Sequence, residues 1–446
     1  MHTIGLDVHR RVVEAAILDA AGTVIHRERF DCTREALERF ACERLGADTQ
    51  LVLEATTNTW AIAALLQPCV GRLAVSNPLL TRAIAQAKIK TDRIDACVLA
   101  QLLRADYLPE VWIPDPETRS RRELTQRRAA LVAQRTGIKN RLHAVLHQRL
   151  LHPPVDDLFG RTGRAWLEAV ELDDLGRAIV DAELRLLDAT EVEITALTQR
   201  LAQDGYADPR VRLLMTLPGV DLAVAQTLIA ALGDIGRFRT PDHAASYLGL
   251  VPSTRQSAEH CYHGPITKRG RSQARWMMVQ AAQHLGRHPG PIGVFFRRLA
   301  HKKNRNVAVV ATARKLVTIA WHMLTSGEPY RYALPRATDA KLARLRVAAT
   351  GQRRRTGPKK GSPQAAVYGT GQGTRAIPSL DELYAREAVP PLPPRAPGEA
   401  RMLRDTETEA FAESVRIPQR VPRRRLKKER EEGKETNIDG RELTRS

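Results

Sequence analysis

The first hundred residues alternate short apolar runs with amphipathic segments, and this alternation leaves few folds open. Thr3 to Val8 and Val12 to Leu18 read as two strands joined by His9-Arg10-Arg11. Ala20-Ala21-Gly22 turns the chain into a third alternating strand, Thr23 to Phe30. Thr33 is placed to cap a helix running to Leu45, since its hydroxyl can accept from an unpaired first-turn N–H. Leu51 to Glu54 is an apolar strand that ends in a carboxylate, and Ala61 to Leu66 is a short helix. Leu73-Ala74-Val75 is a further buried strand, closed by Asn77-Pro78 and followed by a helix to about Ala87. Strands alternating with helices predict an α/β domain, and the opening three-strand meander makes its sheet mixed.

Carboxylates fall at telling places in this pattern. Asp92 and Asp95 stand three residues apart before the apolar run Ala96 to Ala100, so a helix would carry both on one face of its first turn. Helix starts tolerate acids, and Asp92 as an N-cap with Asp95 as a first-turn acid is one sufficient account. The other joins them to Asp7 on the first strand and Glu54 at a strand end, where α/β ligand sites form. Converging carboxylates repel unless a cation lies among them. Oxygen-rich sets favour Mg²⁺ or Mn²⁺, and two such ions roughly 3.5–4 Å apart clamp the attacking and leaving oxygens of a phosphodiester.

Charge narrows the partner. The formal net charge is +20 and the pI about 10.2, which points to a polyanion, nucleic acid before a membrane surface. No bilayer-spanning apolar run or signal peptide is read from the sequence. The five cysteines are scattered, with no C-x-x-C pair, as expected for a reduced, cytoplasmic protein without a zinc knuckle.

Beyond residue 114 the pattern turns helical. Glu117 to Leu150 is rich in arginine and carries an apolar stripe of Leu124, Leu131, Ile138, Leu142, Val145 and Leu146 at heptad-like steps. A second long helix, about Leu175 to Leu201, suggests an antiparallel coiled-coil hairpin or a dimerising arm. The basic face of the first helix is either a solvated exterior or a nucleic-acid track. Leu217-Pro218-Gly219-Val220-Asp221 resembles a helix-hairpin-helix turn, which offers backbone N–H groups to a phosphate, although Asp221 stands where a second glycine is usual. A plain packing corner fits it equally. Further apolar helices are read at Trp276 to Leu285 and Ala308 to Leu324. Past Tyr330 the chain is basic and Pro-rich, with one short helix at Ala340 to Val347, and is expected to be largely disordered.

Four stretches in order, Ile4-Gly5-Leu6-Asp7-Val8-His9, Leu53-Glu54-Ala55-Thr56, Asn77-Pro78 and Lys90-Thr91-Asp92-Arg93-Ile94-Asp95-Ala96, resemble the DEDD transposases of bacterial insertion sequences (the one-ten family), relatives of the Piv-type DNA invertases. The resemblance continues through Tyr247-Leu248-Gly249-Leu250-Val251-Pro252 and Gly264 to Gly270. It implies a RuvC-like (RNase H-like) α/β domain at 1–114, a helical coiled-coil linker at 115–205 that favours dimers or tetramers, and a mainly α C-terminal transposase domain at 206–330; the basic tail at 331–446 departs from the family, whose members usually end near Tyr330, and reads either as a nucleic-acid-binding arm or as an appended reading frame. The resemblance makes Asp7, Glu54, Asp92 and Asp95 the Mg²⁺ (or Mn²⁺) ligands and Ser257 the nucleophile, with Ser253 a weaker candidate. The family commonly has glycine after that serine, whereas Ala258-Glu259-His260 follow here. Lys268, Arg269, Arg271 and Arg275 are expected to hold phosphates, as is the turn at Gly219, unless the basic residues are only a solvated helix face.

The expected activity is cutting and rejoining DNA through a phosphoserine linkage. The resemblance implies a structured guide RNA as a partner, and a cytoplasmic, nucleoid-associated setting suits these ligands. Two other functions fit the residues. A hydrolytic junction endonuclease would need the acids but not Ser257. A non-catalytic nucleic-acid-binding protein would use the acids only as caps and strand ends.

Overall fold

The computed structural model describes residues 2–84, 91–257, 260–353 and 374–422. The chain divides into two units, Met1–Asp115 and Pro116–Ser446.

The N-terminal unit is a five-stranded mixed sheet with helices on both faces. Its strands are β1 (Thr3–Val8), β2 (Val12–Leu18), β3 (Val24–Asp31), β4 (Gln50–Glu54) and β5 (Arg72–Ser76), in the order β3-β2-β1-β4-β5. The meander β1-β2-β3 is antiparallel, while β4 and β5 add in parallel. Side chains alternate across the sheet. One face, with Ile4, Leu6, Val8, Leu51 and Leu53, packs on α1 (Arg34–Arg44) and α2 (Thr59–Leu66) through Leu37, Phe40, Ile62 and Leu66. Thr33 caps α1, its hydroxyl accepting from Ala36 N at 3.3 Å.

The opposite face receives α4 (Asp92–Arg104), which follows α3 (Pro78–Ile84). A β-carbon on Gly5 would lie 2.0 Å from the Ala96 carbonyl oxygen and 2.9 Å from Ala100 N, so only glycine lets β1 touch the backbone of α4. Ala16, Leu18, Ala96 and Ala100 fill the rest of that contact. The cap of α4 is Thr91, whose hydroxyl accepts from Ile94 N at 3.4 Å, and Asp92 is the first helical residue. This corrects one of the two accounts of these acids, Asp92 as N-cap: Thr91 holds the extended backbone that a cap needs. The expected end of α3, at residues 85–87, and Lys90 lie outside the described residues.

In the C-terminal unit α5 (Pro116–Gln148) and α7 (Asp174–Ala207) pack as an antiparallel pair, with the short α6 (Arg161–Ala169) between them in sequence. Arg128 donates to Thr198 at 2.8 Å, and Arg135, Arg141 and Arg149 pair with Glu191, Glu183 and Asp173 in turn. Much of the basic face of α5 is thus matched to acids of α7 within one chain. Leu131, Ile138, Leu142, Val145 and Leu146 form its buried stripe.

The remaining helices surround α13 (Arg305–Ser326): α8 (Pro209–Met215), α9 (Leu222–Leu232), α10 (Pro241–Tyr247), α11 (Ser272–Ala282) and α12 (Pro291–Lys302). By length and composition α13 could cross a membrane, but Ala313, Leu316, Val317 and Ala320 are fully buried in this core. A two-stranded hairpin, β6 (Pro252–Ser257) and β7 (His260–Ile266), leaves the helical body.

The described part of the C-terminal segment corrects the expectation of disorder. It forms α14 (Pro335–Thr350), β8 (Thr374–Ile377), α15 (Leu380–Arg386), α16 (Glu399–Asp405), α17 (Glu409–Ser414) and β9 (Gln419–Pro422), with β8 and β9 paired. Leu380, Leu383, Tyr384 and Val415 join the core around α13, and the Tyr384 hydroxyl donates to the Tyr330 carbonyl at 2.8 Å. Arg346 and Glu387 form a buried ion pair at 2.8 Å. The segment's few apolar residues suffice because they seat on a core built by earlier helices.

Candidate metal centre and hairpin serine

On the α4 face of the sheet, strand pairing lines up a row of polar residues. Arg29, Glu14 and Asp7 are successive cross-strand partners on β3, β2 and β1. The β1–β4 register pairs Leu6 with Leu53, so its next step sets Glu54 beside Asp7; Glu54 in turn pairs with Ser76 on β5. Glu14 is buried, and Arg29 Nε lies 3.4 Å from its carboxylate.

Because Gly5 seats α4 against β1, the first turn of α4 reaches this row. His9, in the turn after β1, links the two elements. Its Nε2 is 3.3 Å from Asp7 Oδ2 and 3.3 Å from Asp92 Oδ1. One ligand atom from each of Asp7, His9 and Asp92 falls within 4.8 Å of the others. Burial raises the Asp7 carboxyl above its ordinary range; His9 opposes this, and the charges of Asp92 and Asp95 push it up further. The shift is thus owed first to burial, with the nearby Asp92 and Asp95 charges adding to it. A divalent cation would relieve that repulsion, and the donor set of carboxylate oxygens with one imidazole nitrogen fits such an ion.

The structure thus brings Asp7, Asp92 and Asp95 into one electrostatic neighbourhood and sets Glu54 beside Asp7 by register. Two neighbours, His9 and Glu14, were not singled out from sequence. Strand alternation could have found His9, which continues the Thr3, Gly5, Asp7 face by one more step. The pairing of a tight hairpin could have found Glu14.

Ser257 belongs to the other unit. It is exposed at the end of β6, and its cross-strand partner is His260. Thr254 Oγ1 and His263 Nδ1 are 3.1 Å apart on the same hairpin. Ser253 is half-buried at its base. Lys268 and Arg269 are exposed just beyond β7. Arg275 Nη1 donates to the Leu248 and Arg269 carbonyls, tying the two roots of the hairpin together, while Arg271 Nε faces the Tyr247 hydroxyl at 3.5 Å. Burial would raise the Tyr247 phenol, but Arg271, Arg122 and Arg237 outweigh it and hold the phenol below its ordinary value.

The turn at Gly219 is closely packed. Gly219 has φ 78°, and a β-carbon there would meet the Ala281 carbonyl oxygen at 2.3 Å. The Asp221 carboxylate caps α9 at Val224 N (3.0 Å), and Lys341 donates to the Leu217 and Val220 carbonyls at 2.9 Å each. Burial brings Lys341 down to about 7.

Comparison with known proteins matches both regions to one class. A family model described as a transposase, of the DEDD type of IS110, matches residues 4–150. A second, described as the transposase IS116/IS110/IS902 family, matches residues 211–294. The chain belongs to the IS110/IS116/IS902 transposase family. It is 33% identical over 207 residues to a Sinorhizobium fredii protein named as transposase y4qE, a match covering 46% of this chain and 50% of that one. It is 23% identical to the transposase for insertion sequence element IS1111A of Coxiella burnetii, over 74% of this chain and 91% of the relative. The pilin gene-inverting protein of Moraxella bovis is 27% identical over 63% of this chain and 81% of its own length. Against the first of these relatives, the chain spans only half the relative's length.

Proposed function

We propose that this protein is a DNA strand transferase of an insertion sequence, with a RuvC-like N-terminal domain and a serine-bearing C-terminal domain. One observation carries the reading. Asp7 on β1 and Asp92 on α4, far apart in sequence, each lie 3.3 Å from one imidazole nitrogen of His9, which supports a reading in which these acids act together. An ordinary helix cap requires no such convergence.

Asp7, Glu54, Asp92 and Asp95 would hold Mg²⁺ or Mn²⁺, which when bound withdraws charge from a scissile phosphate. Ser257 Oγ attacks phosphorus and gives up its proton; the P–O bond to the sugar breaks, and the departing sugar oxygen takes up a proton. The linkage to Ser257 conserves the ester, so a second strand's hydroxyl can displace the serine without ATP. Lys268 and Arg269 are positioned to bind backbone phosphates. Arg275 acts as a positioning residue for the hairpin. The serine and the acids lie in different units, so the reaction requires the units to meet on DNA, within one subunit or across a dimer or tetramer. The guide RNA implied by the family resemblance belongs to this reading, and the net charge of +20 suits it.

The test uses purified full chain, Mg²⁺, labelled junction DNA from the element's ends and RNA transcribed from its flanks. Strand joining lost in both Asp92→Ala and Ser257→Ala is the expected result. Cutting that survives Ser257→Ala would point to a hydrolytic nuclease. DNA affinity with no cutting under any RNA would point to a binding protein.

A further inference from the structure

His9 is the one nitrogen donor in the Asp7–His9–Asp92 group. Its Nε2 is equidistant from carboxylate oxygens supplied by two separate elements, a strand and a helix. The imidazole is half exposed, so burial does not force it into that position. The row behind it is rich in carboxylates, Glu14, Asp7 and Glu54, with Arg29 at its far end. A single imidazole is a poor counter-charge for such a row, but it is a good ligand: a neutral ring offers a lone pair from Nε2. One donor atom each from a strand, a turn and a helix lies within 4.8 Å of the others, and His9 and Asp92 are both exposed to solvent.

We infer that His9 is a direct ligand of the divalent ion held by Asp7 and Asp92, which makes this a mixed nitrogen–oxygen centre that selects Mn²⁺ over Mg²⁺. The inference rests on the reading of the acids as a metal centre. The selectivity follows from ligand chemistry. Carboxylates and water suit Mg²⁺ and Mn²⁺ alike, whereas imidazole favours first-row transition ions, and Mg²⁺ gives up its water shell reluctantly.

The experiment is Mn²⁺ binding to the full chain, followed by titration calorimetry and by pulsed electron paramagnetic resonance, which detects nitrogen bound to manganese. Wild type should show one imidazole nitrogen on bound Mn²⁺. His9→Ala should lose that signal and weaken Mn²⁺ binding about tenfold, with Mg²⁺ affinity changed less than twofold. His9 lies in an exposed turn, so His9→Ala is expected to keep the wild-type unfolding midpoint, and His9→Gln provides a second variant of similar size. Mn²⁺ that binds, is lost in Asp92→Asn and shows no nitrogen coupling would overturn the His9 assignment and leave the acids in place. Mn²⁺ binding indifferent to Asp92→Asn, or absent in wild type, would overturn both.

Discussion

The two candidate sites are built in opposite ways. The acids stand on elements locked by close packing: Gly5 brings β1 against the α4 backbone, and fully or nearly fully buried alanines fill that contact. Ser257 stands at the end of a hairpin whose outer residues are exposed and lack a packed face. A metal centre needs donor atoms fixed to within fractions of an ångström, which a sheet and a helix supply. A nucleophile that must reach a phosphate held elsewhere gains from a projecting arm, provided its root is firm. Here Arg275 holds the root.

The contrast breaks most sharply under substitution. Asp92→Ala and Ser257→Ala should each reduce strand joining by about a thousandfold or more, equivalent to some 4 kcal/mol of transition-state stabilisation. Their stabilities should not fall together. Ser257→Ala should leave thermal unfolding within about 0.5 kcal/mol of wild type, as an exposed change does. Asp92→Ala should lose the rise in unfolding midpoint that added divalent ion gives the wild type, because it removes a ligand of the ion.

Gly5→Val attacks the framework instead of the chemistry. A side chain cannot fit 2.0 Å from a carbonyl oxygen, so α4 must lift, at a cost of about 3 kcal/mol. Divalent-ion binding should be lost with it, although no acid has been touched. Calorimetric unfolding and Mn²⁺ titration read both effects. A comparable loss, about 3–5 kcal/mol, is expected in the other unit for Tyr384→Ala, which empties a fully buried site. Its measurement is chemical denaturation, and a silent variant would show that the C-terminal segment does not share the core of this unit.

A further effect concerns pH. Lys341 titrates near 7 when folded, against 10.5 for the free side chain. Between these values the unfolded chain binds the extra proton, so stability should rise as pH goes from 7 toward 10. That rise should flatten in Lys341→Met, as followed by the unfolding midpoint across pH.

Much of the N-terminal unit was legible because its strands and helices carry clean periods. The meander, the parallel additions and the Thr33 cap all follow from alternation and cap chemistry. The meeting of Asp7 with Asp92 was only suggested, since spacing along a chain does not give distance in space; Gly5 supplies that distance, and its role appears only when α4 is seen lying on it. His9 escaped notice because a histidine in a basic turn looks like a solvated residue. The hairpin carrying Ser257 escaped for a related reason: with both strands exposed, no apolar alternation marks it. In the C-terminal segment, average composition hid a few apolar residues, Leu380, Leu383 and Tyr384, that fall on one helix face and meet a core made by distant sequence.

The most direct test of the account is covalent capture. Full chain, Mg²⁺, labelled junction DNA and flank-derived RNA are combined, the protein–DNA adduct is isolated under denaturing conditions, and the modified residue is located by mass spectrometry. The account predicts phosphate ester-linked at Ser257, with the adduct absent in Ser257→Ala and in Asp92→Ala. Cut DNA with no adduct, produced equally by Ser257→Ala, would contradict it.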